Sequence, residues 1–120
     1  MPYRLFLDDE RFPRQVTWVL LPTNFDPDWV IVRTYQQFVD HITINGLPEF
    51  ISFDHDLAEE HYREGYRGAE PVYGLYKEKT GYEAAKWLRQ YCDERGLRVP
   101  PFVVHSMNPI GRVNITNALR

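Results

Sequence analysis

The sequence has a single cysteine, no repeat, no low-complexity tract and no long apolar run. Each absence excludes something. Cys92 cannot close an internal disulfide, and with no second cysteine there is no zinc knuckle, so it reads as a small core residue. No uninterrupted apolar stretch approaches the roughly 20 residues of a membrane span. The opening MPYRLFLDDE lacks the apolar region and small-residue cleavage site of a secretory signal. A cytoplasmic protein with no membrane partner is expected. A basic excess is missing too. The net charge of −3 argues against bulk binding of DNA or RNA, although a local basic pocket could hold one phosphate.

What is present suffices for one core. With 120 residues, 43% of them hydrophobic and 15% aromatic, the chain reads as a single domain over 1–120. Three segments share one pattern, an apolar strand that runs into polar residues able to do chemistry. YRLFLDDER ends in Asp8, Asp9, Glu10 and Arg11; EFISFDHDL in Asp54, His55 and Asp56; PFVVHSMN in His105, Ser106 and Asn108. A fourth run, WVIVRTY, has no such ending and reads as a supporting strand.

Helical patterns lie between the strands. TYQQFVDHITING sets Tyr35, Phe38, Val39 and Ile42 at helical spacing, opening after Thr34 and closing at Gly46. TGYEAAKWLRQYCDERG pairs Thr80 and Glu83 at capping-box spacing. It lines one face with Ala84, Ala85, Leu88, Tyr91 and Cys92, and stops at Gly96. In NPIGRVNITNALR, Asn108 suits a cap and Pro109 the first helical position. The connection RFPRQVTWVLLPTNFDPDW, with Pro13, Pro22 and Pro27, leaves room for one short helix at most. Strands alternating with helices predict an α/β fold, a mostly parallel four-stranded sheet covered on both faces.

Parallel strands joined by right-handed crossovers bring their carboxyl ends to one edge, and ligands bind outside that edge. The three polar endings are therefore expected to meet. A single aspartate there is as readily a turn-former or a helix cap. Asp8, Asp9, Asp54 and Asp56 on adjacent strand ends, however, repel one another unless a proton or a cation relieves them. Mg²⁺ or Mn²⁺ suits such a carboxylate set, with Asp8, Asp9 and Asp54 as candidate ligands. Asp56 is either a fourth ligand or the group that orients His55. The histidines follow no zinc spacing, although His55 and His105 could converge on zinc together with an aspartate.

His55 and His105 titrate near neutral pH unaided and are the candidate general acid and base, whereas His41 and His61 read as surface residues. Ser106, Asn108, the helix start at Pro109 and Arg11 offer donors to a phosphate. Residues 58–79 form a long polar insertion. There Tyr62, Arg63, Tyr66 and Arg67 suit a lid that stacks on a base, or else an exposed spacer.

LDDER with its following proline, FDHDL, TGYEAAKWL and HSMNPIG, in that order and across nearly the whole chain, resemble the cyclic-phosphate processing receiver-like domains (cREC). The resemblance implies a flavodoxin-like, receiver-like three-layer sandwich. It also implies a site at Asp8, Asp9, Arg11, Asp54, His55, Asp56, His105, Ser106 and Asn108, acting on cyclic nucleotides or on RNA ends bearing a 2′,3′-cyclic phosphate. Gly81 matches as well and reads as structural. The expected reaction is metal-assisted attack of water on the cyclic ester, with histidine acid and base catalysis. Two other readings stand beside it: a module that binds such ligands without turning them over, and a signalling receiver in which Asp54 accepts a phosphoryl group. The latter is weakened because ordinary receivers carry a lysine after a fifth strand, with no counterpart expected here.

Overall fold

A computed structural model describes residues 2–57 and 79–120. The elements run β1 (Arg4–Leu7), β2 (Trp29–Val32), α1 (Tyr35–Asn45), β3 (Phe50–Phe53), α2 (Gly81–Arg95), β4 (Phe102–Val104) and α3 (Pro109–Leu119). Tyr62, Arg63, Tyr66 and Arg67 lie outside the described residues, as does His61.

The four strands are parallel in the order β2-β1-β3-β4, with Leu7 opposite both Val32 and Phe53, and Phe53 opposite Val104. Because side chains alternate along a strand, the sheet sorts its residues into two sets. Leu5, Leu7, Val32, Ile51, Phe53 and Val104 join one core with Phe38 and Ile42 of α1, Leu88 and Cys92 of α2, and Ile115 of α3. Phe6 and Trp29 join a second core with Val16 and Leu21 from the β1–β2 connection.

Strand order explains the division. The step from β1 to β2 runs opposite to the steps from β2 to β3 and from β3 to β4, so right-handed crossovers place the first connection on one face and α1 and α2 on the other. α2 then packs against both α1 and α3. The receiver-like α/β architecture is as expected, but the first connection departs from it. In place of one short helix it makes two 3-10 turns, Pro13–Gln15 and Asp26–Asp28, each with a proline in its first positions. The third layer is thus largely irregular chain. Asn24 Nδ2 donates to Val16 O and to Pro13 O, which also accepts from Val16 N–H, so a side chain braces the first turn.

Helix boundaries follow the sequence signals with one correction. Thr34 accepts from Gln37 N–H and Asn108 from Gly111 N–H, while Gly96 closes α2 in the left-handed region at φ 65°. Thr80 stands at the start of α2, yet the capping box with Glu83 does not form. Its side chain makes no cap hydrogen bond, its Oγ1 is buried without a partner among the described residues, and Glu83 faces Lys86 instead. The helix start is held differently: Gly81 N–H donates to His55 O at 2.8 Å, docking α2 onto the end of β3.

That docking requires glycine. A Cβ at Gly81 would lie 1.8 Å from Asp54 O, a backbone atom that cannot swing away. Gly81→Ala is expected to lower folding stability by roughly 3 kcal/mol, the upper range for forced overpacking. Urea denaturation measures this directly, and wild-type stability would mean the approach is looser than described. Among the described residues no helix is long and apolar enough to cross a membrane.

Candidate functional site

The sheet ladder continues one residue past three of its strands. Asp8 N–H donates to Val32 O at 3.1 Å, Asp54 N–H to Leu7 O at 2.8 Å and His105 N–H to Phe53 O at 2.8 Å. Each backbone is therefore fixed as firmly as in a strand. Alternation places these three side chains on the sheet face of Phe6, Ser52 and Val103, two residues earlier. Asp8 and His105 are fully buried and Asp54 is 1% exposed. One donor atom from each lies within 4.8 Å of the others.

His105 is the centre of this group. Its ring stacks on Phe6, 4.6 Å between centroids with planes 2° apart. Nδ1 bonds Ser52 Oγ at 2.6 Å and Nε2 bonds Asp8 Oδ2 at 2.9 Å, so both ring nitrogens are engaged. Burial pushes its pKa below the usual histidine value, against the pull of Asp8. With a neutral ring and a carboxylate at Nε2, the proton sits on Nε2 and the Ser52 hydroxyl donates to Nδ1.

The two carboxylates differ sharply. Burial alone would raise the pKa of Asp8, but the His105 hydrogen bond and the N–H groups of Arg11 and Glu10, each 2.9 Å from Oδ1, outweigh it and hold the group at about 2. Asp54 goes the other way: burial, and then the charge of Asp8, push its pKa well above the ordinary carboxylate value. Its Oδ1 accepts from His55 N–H at 2.8 Å, while Oδ2 is buried with no hydrogen-bond partner among the described residues.

A second cluster lies beside the first. His55 Nδ1 is 2.7 Å from Asp56 Oδ1, an acceptor that places the ring proton on Nδ1. Asn108 Nδ2 donates to the same oxygen at 3.3 Å, while its Oδ1 caps α3 by accepting from Gly111 N–H. The His55 ring lies against the start of that helix, where a Cβ on Gly111 would come within 2.3 Å of the ring's Cγ. Ser106 Oγ accepts from Asn108 N–H at 3.1 Å, which leaves its O–H as a donor.

Of the residues expected from sequence, Asp8, Asp54 and His105 share one cluster and His55, Asp56 and Asn108 another. Asp9 is half-buried and is not among the converging donor atoms. The Asn108 amide, expected to meet phosphate, is committed to capping α3 and bracing Asp56. Arg11, expected there too, extends its guanidinium from Asp8 Oδ2, 3.5 Å away, to the Trp18 ring.

Three contributors were not foreseen. Ser52 holds His105. Trp18 Nε1 donates to His105 O at 2.7 Å. Arg33, just beyond β2, donates to the backbone oxygens of Asp8 and Arg11 and lies over the Phe12 ring. The run WVIVRTY thus supplies the site after all, through a side chain that fixes the Asp8–Arg11 turn.

The donor set fits a divalent cation. Two carboxylates share a buried space, and one oxygen of Asp54 has no hydrogen-bond partner among the described residues; carboxylate oxygens are the ligands a hard cation takes.

A family model described as the cyclic-phosphate processing Receiver domain matches residues 3–120. No curated protein and no solved structure matches the chain. The match takes in all four strands and both clusters at their carboxyl ends, and the chain belongs to the family of cyclic-phosphate processing receiver domains.

Proposed function

We propose that this domain opens cyclic phosphodiesters, either cyclic nucleotides or RNA ends with a 2′,3′-cyclic phosphate, by adding water across one P–O bond. The observation that carries the reading is the Asp54 carboxylate, buried beside Asp8 with Oδ2 unpartnered among the described residues. Asp8 and Asp54 would hold Mg²⁺ or Mn²⁺, with water completing the shell. When bound there, such a cation supplies positive charge opposite a non-bridging phosphate oxygen.

The chain's own groups do the rest. Arg11 and the Ser106 hydroxyl donate to the phosphate and neutralise the negative charge that builds on it. Asp56 keeps the His55 proton on Nδ1, so Nε2 is the basic nitrogen. Nε2 takes the proton of the attacking water as the new P–O bond forms, then returns it to the sugar oxygen as the old P–O bond breaks. The products are a phosphomonoester and a free hydroxyl. His105, with both nitrogens engaged, orients Asp8 and takes no part in proton transfer.

The test is a mass-spectrometric time course. Cyclic mononucleotides, cyclic dinucleotides and an RNA ending in 2′,3′-cyclic phosphate are each incubated with the protein and Mg²⁺ or Mn²⁺. A mass gain of one water on the ligand is expected. Ligand retained unchanged would make the domain a binding module, and a stable phosphoryl adduct on Asp54 would make it a signalling receiver.

A further inference from the structure

The insertion expected to stack on a base lies outside the described residues, but another aromatic stands at the site. We infer that Trp18 is the platform for the nucleobase of the ligand, because its indole is pinned to the His105 backbone and bridged by Arg11 to the Asp8 carboxylate while remaining exposed. The inference rests on the cyclic-phosphate reading and adds to it the residue through which the base of that substrate is recognised.

Core packing does not account for Trp18. The β1–β2 connection closes the second core with Val16 and Leu21, and Trp18 is not part of that core. The residue is 38% exposed, whereas Trp29, from the next strand, is 7% exposed. Even so, the indole is not loose. Nε1 donates to His105 O at 2.7 Å, at the carboxyl end of β4, and the Arg11 guanidinium lies over the ring at 5.3 Å. The indole is thus fixed in one orientation while part of its surface stays open to solvent, a combination that suits a preformed binding surface.

The neighbours identify the ligand chemistry. The same Arg11 touches Asp8 on one side and Trp18 on the other, so a phosphate drawn to Arg11 has its next substituent beside the indole. A nucleobase is flat and π-rich, and it stacks on indole whatever its sequence identity. Arg11 over the ring adds a cation that strengthens the platform. Met107, two residues past His105, is 62% exposed and offers a soft apolar contact at the same strand end.

Calorimetry on the full chain with Mg²⁺ separates the possibilities, using slowly hydrolysed phosphorothioate analogues of adenosine 2′,3′-cyclic phosphate and of the base-free cyclic phosphate of propane-1,2-diol. Wild type is expected to bind the adenosine ligand roughly 10-fold or more tightly than the base-free one, the scale of stacking one base. Trp18→Ala is expected to erase that preference, read as the ratio of the two affinities within the variant, and Trp18→Phe to keep most of it. Nucleotide binding should also quench tryptophan fluorescence in wild type and not in Trp18→Phe. Equal affinities in wild type, or a preference that survives Trp18→Ala, overturns the platform and leaves the cyclic-phosphate site standing. Failure of wild type to bind either ligand overturns both.

Discussion

Asp54→Asn is expected to raise the melting temperature of the metal-free protein by roughly 5 °C or more and to abolish its response to Mg²⁺ or Mn²⁺. The two effects share one cause. Asp54 is buried, carries an oxygen with no partner among the described residues and lies within reach of the ionised Asp8. Asparagine removes the charge at nearly constant shape and can donate where the carboxylate cannot, so an uncompensated buried charge worth about 1–3 kcal/mol disappears. The same substitution deletes half of the carboxylate pair that holds the cation, so stabilisation by binding vanishes with it. Thermal melts with and without millimolar Mg²⁺ or Mn²⁺ on both proteins check this. Equal metal-induced shifts in wild type and Asp54→Asn would remove the cation from this site.

The pH dependence has a definite sign on each side. Asp8, held at about 2 against an ordinary 3.8, contributes stability above its unfolded value, and that stability is lost as pH falls through the folded value. Its shift corresponds to about 2 kcal/mol. Asp54 is raised, so its contribution is fully present below the unfolded value and is lost as pH rises through the folded one. Metal-free wild type is therefore expected to pass through a stability maximum in mild acid. Asp54→Asn should keep the acid limb and flatten the other, which urea unfolding across pH reads directly.

How far the site was legible depended on where each residue's partners lie. The strand endings were readable because a chemical pattern at the end of an apolar run survives any detail of packing. Parallel topology then obliges those endings to meet. The β1–β2 connection was readable only as a place where helix fails, since prolines exclude a helix without specifying what replaces it. Thr80 followed the capping pattern and still does not cap. The carbonyl of His55, distant in sequence, takes the first N–H of α2, and a local motif carries no information about that partner.

Ser52, Trp18 and Arg33 act through contacts with residues far away in the chain, which no periodicity predicts. One of them did leave a trace. Ser52 is a hydroxyl inside the run FISF, on a strand buried on both faces, and such a group needs a partner within the protein. Two residues before Asp54, it lies on the same face of the strand. His105 proved to be that partner. Arg33 had no comparable signal, because an arginine after an edge strand reads as solvated until the Asp8–Arg11 turn is seen beneath it.

The division of labour between the histidines carries the sharpest expected contrast. His55→Gln should fold, since Gln can still donate to Asp56, and should bind the cyclic ester, yet lower turnover by roughly 10²-fold or more, the usual scale for a lost general base. His105→Asn should behave otherwise. It leaves Ser52 and Asp8 short of a partner in a fully buried space and removes the ring stacked on Phe6, so stability should fall by about 1–3 kcal/mol. Because Asp8 loses its brace, the metal-induced rise in melting temperature should shrink in the same variant. Single-turnover rate, ligand affinity and melting temperature, measured on each variant at a temperature where it is folded, separate the roles. His55 loses its catalytic assignment if His55→Gln turns over like wild type. A His105→Asn protein that melts normally and binds metal normally but turns over 10²-fold slowly would move proton transfer to His105, and would require Nε2 to leave Asp8 when substrate binds.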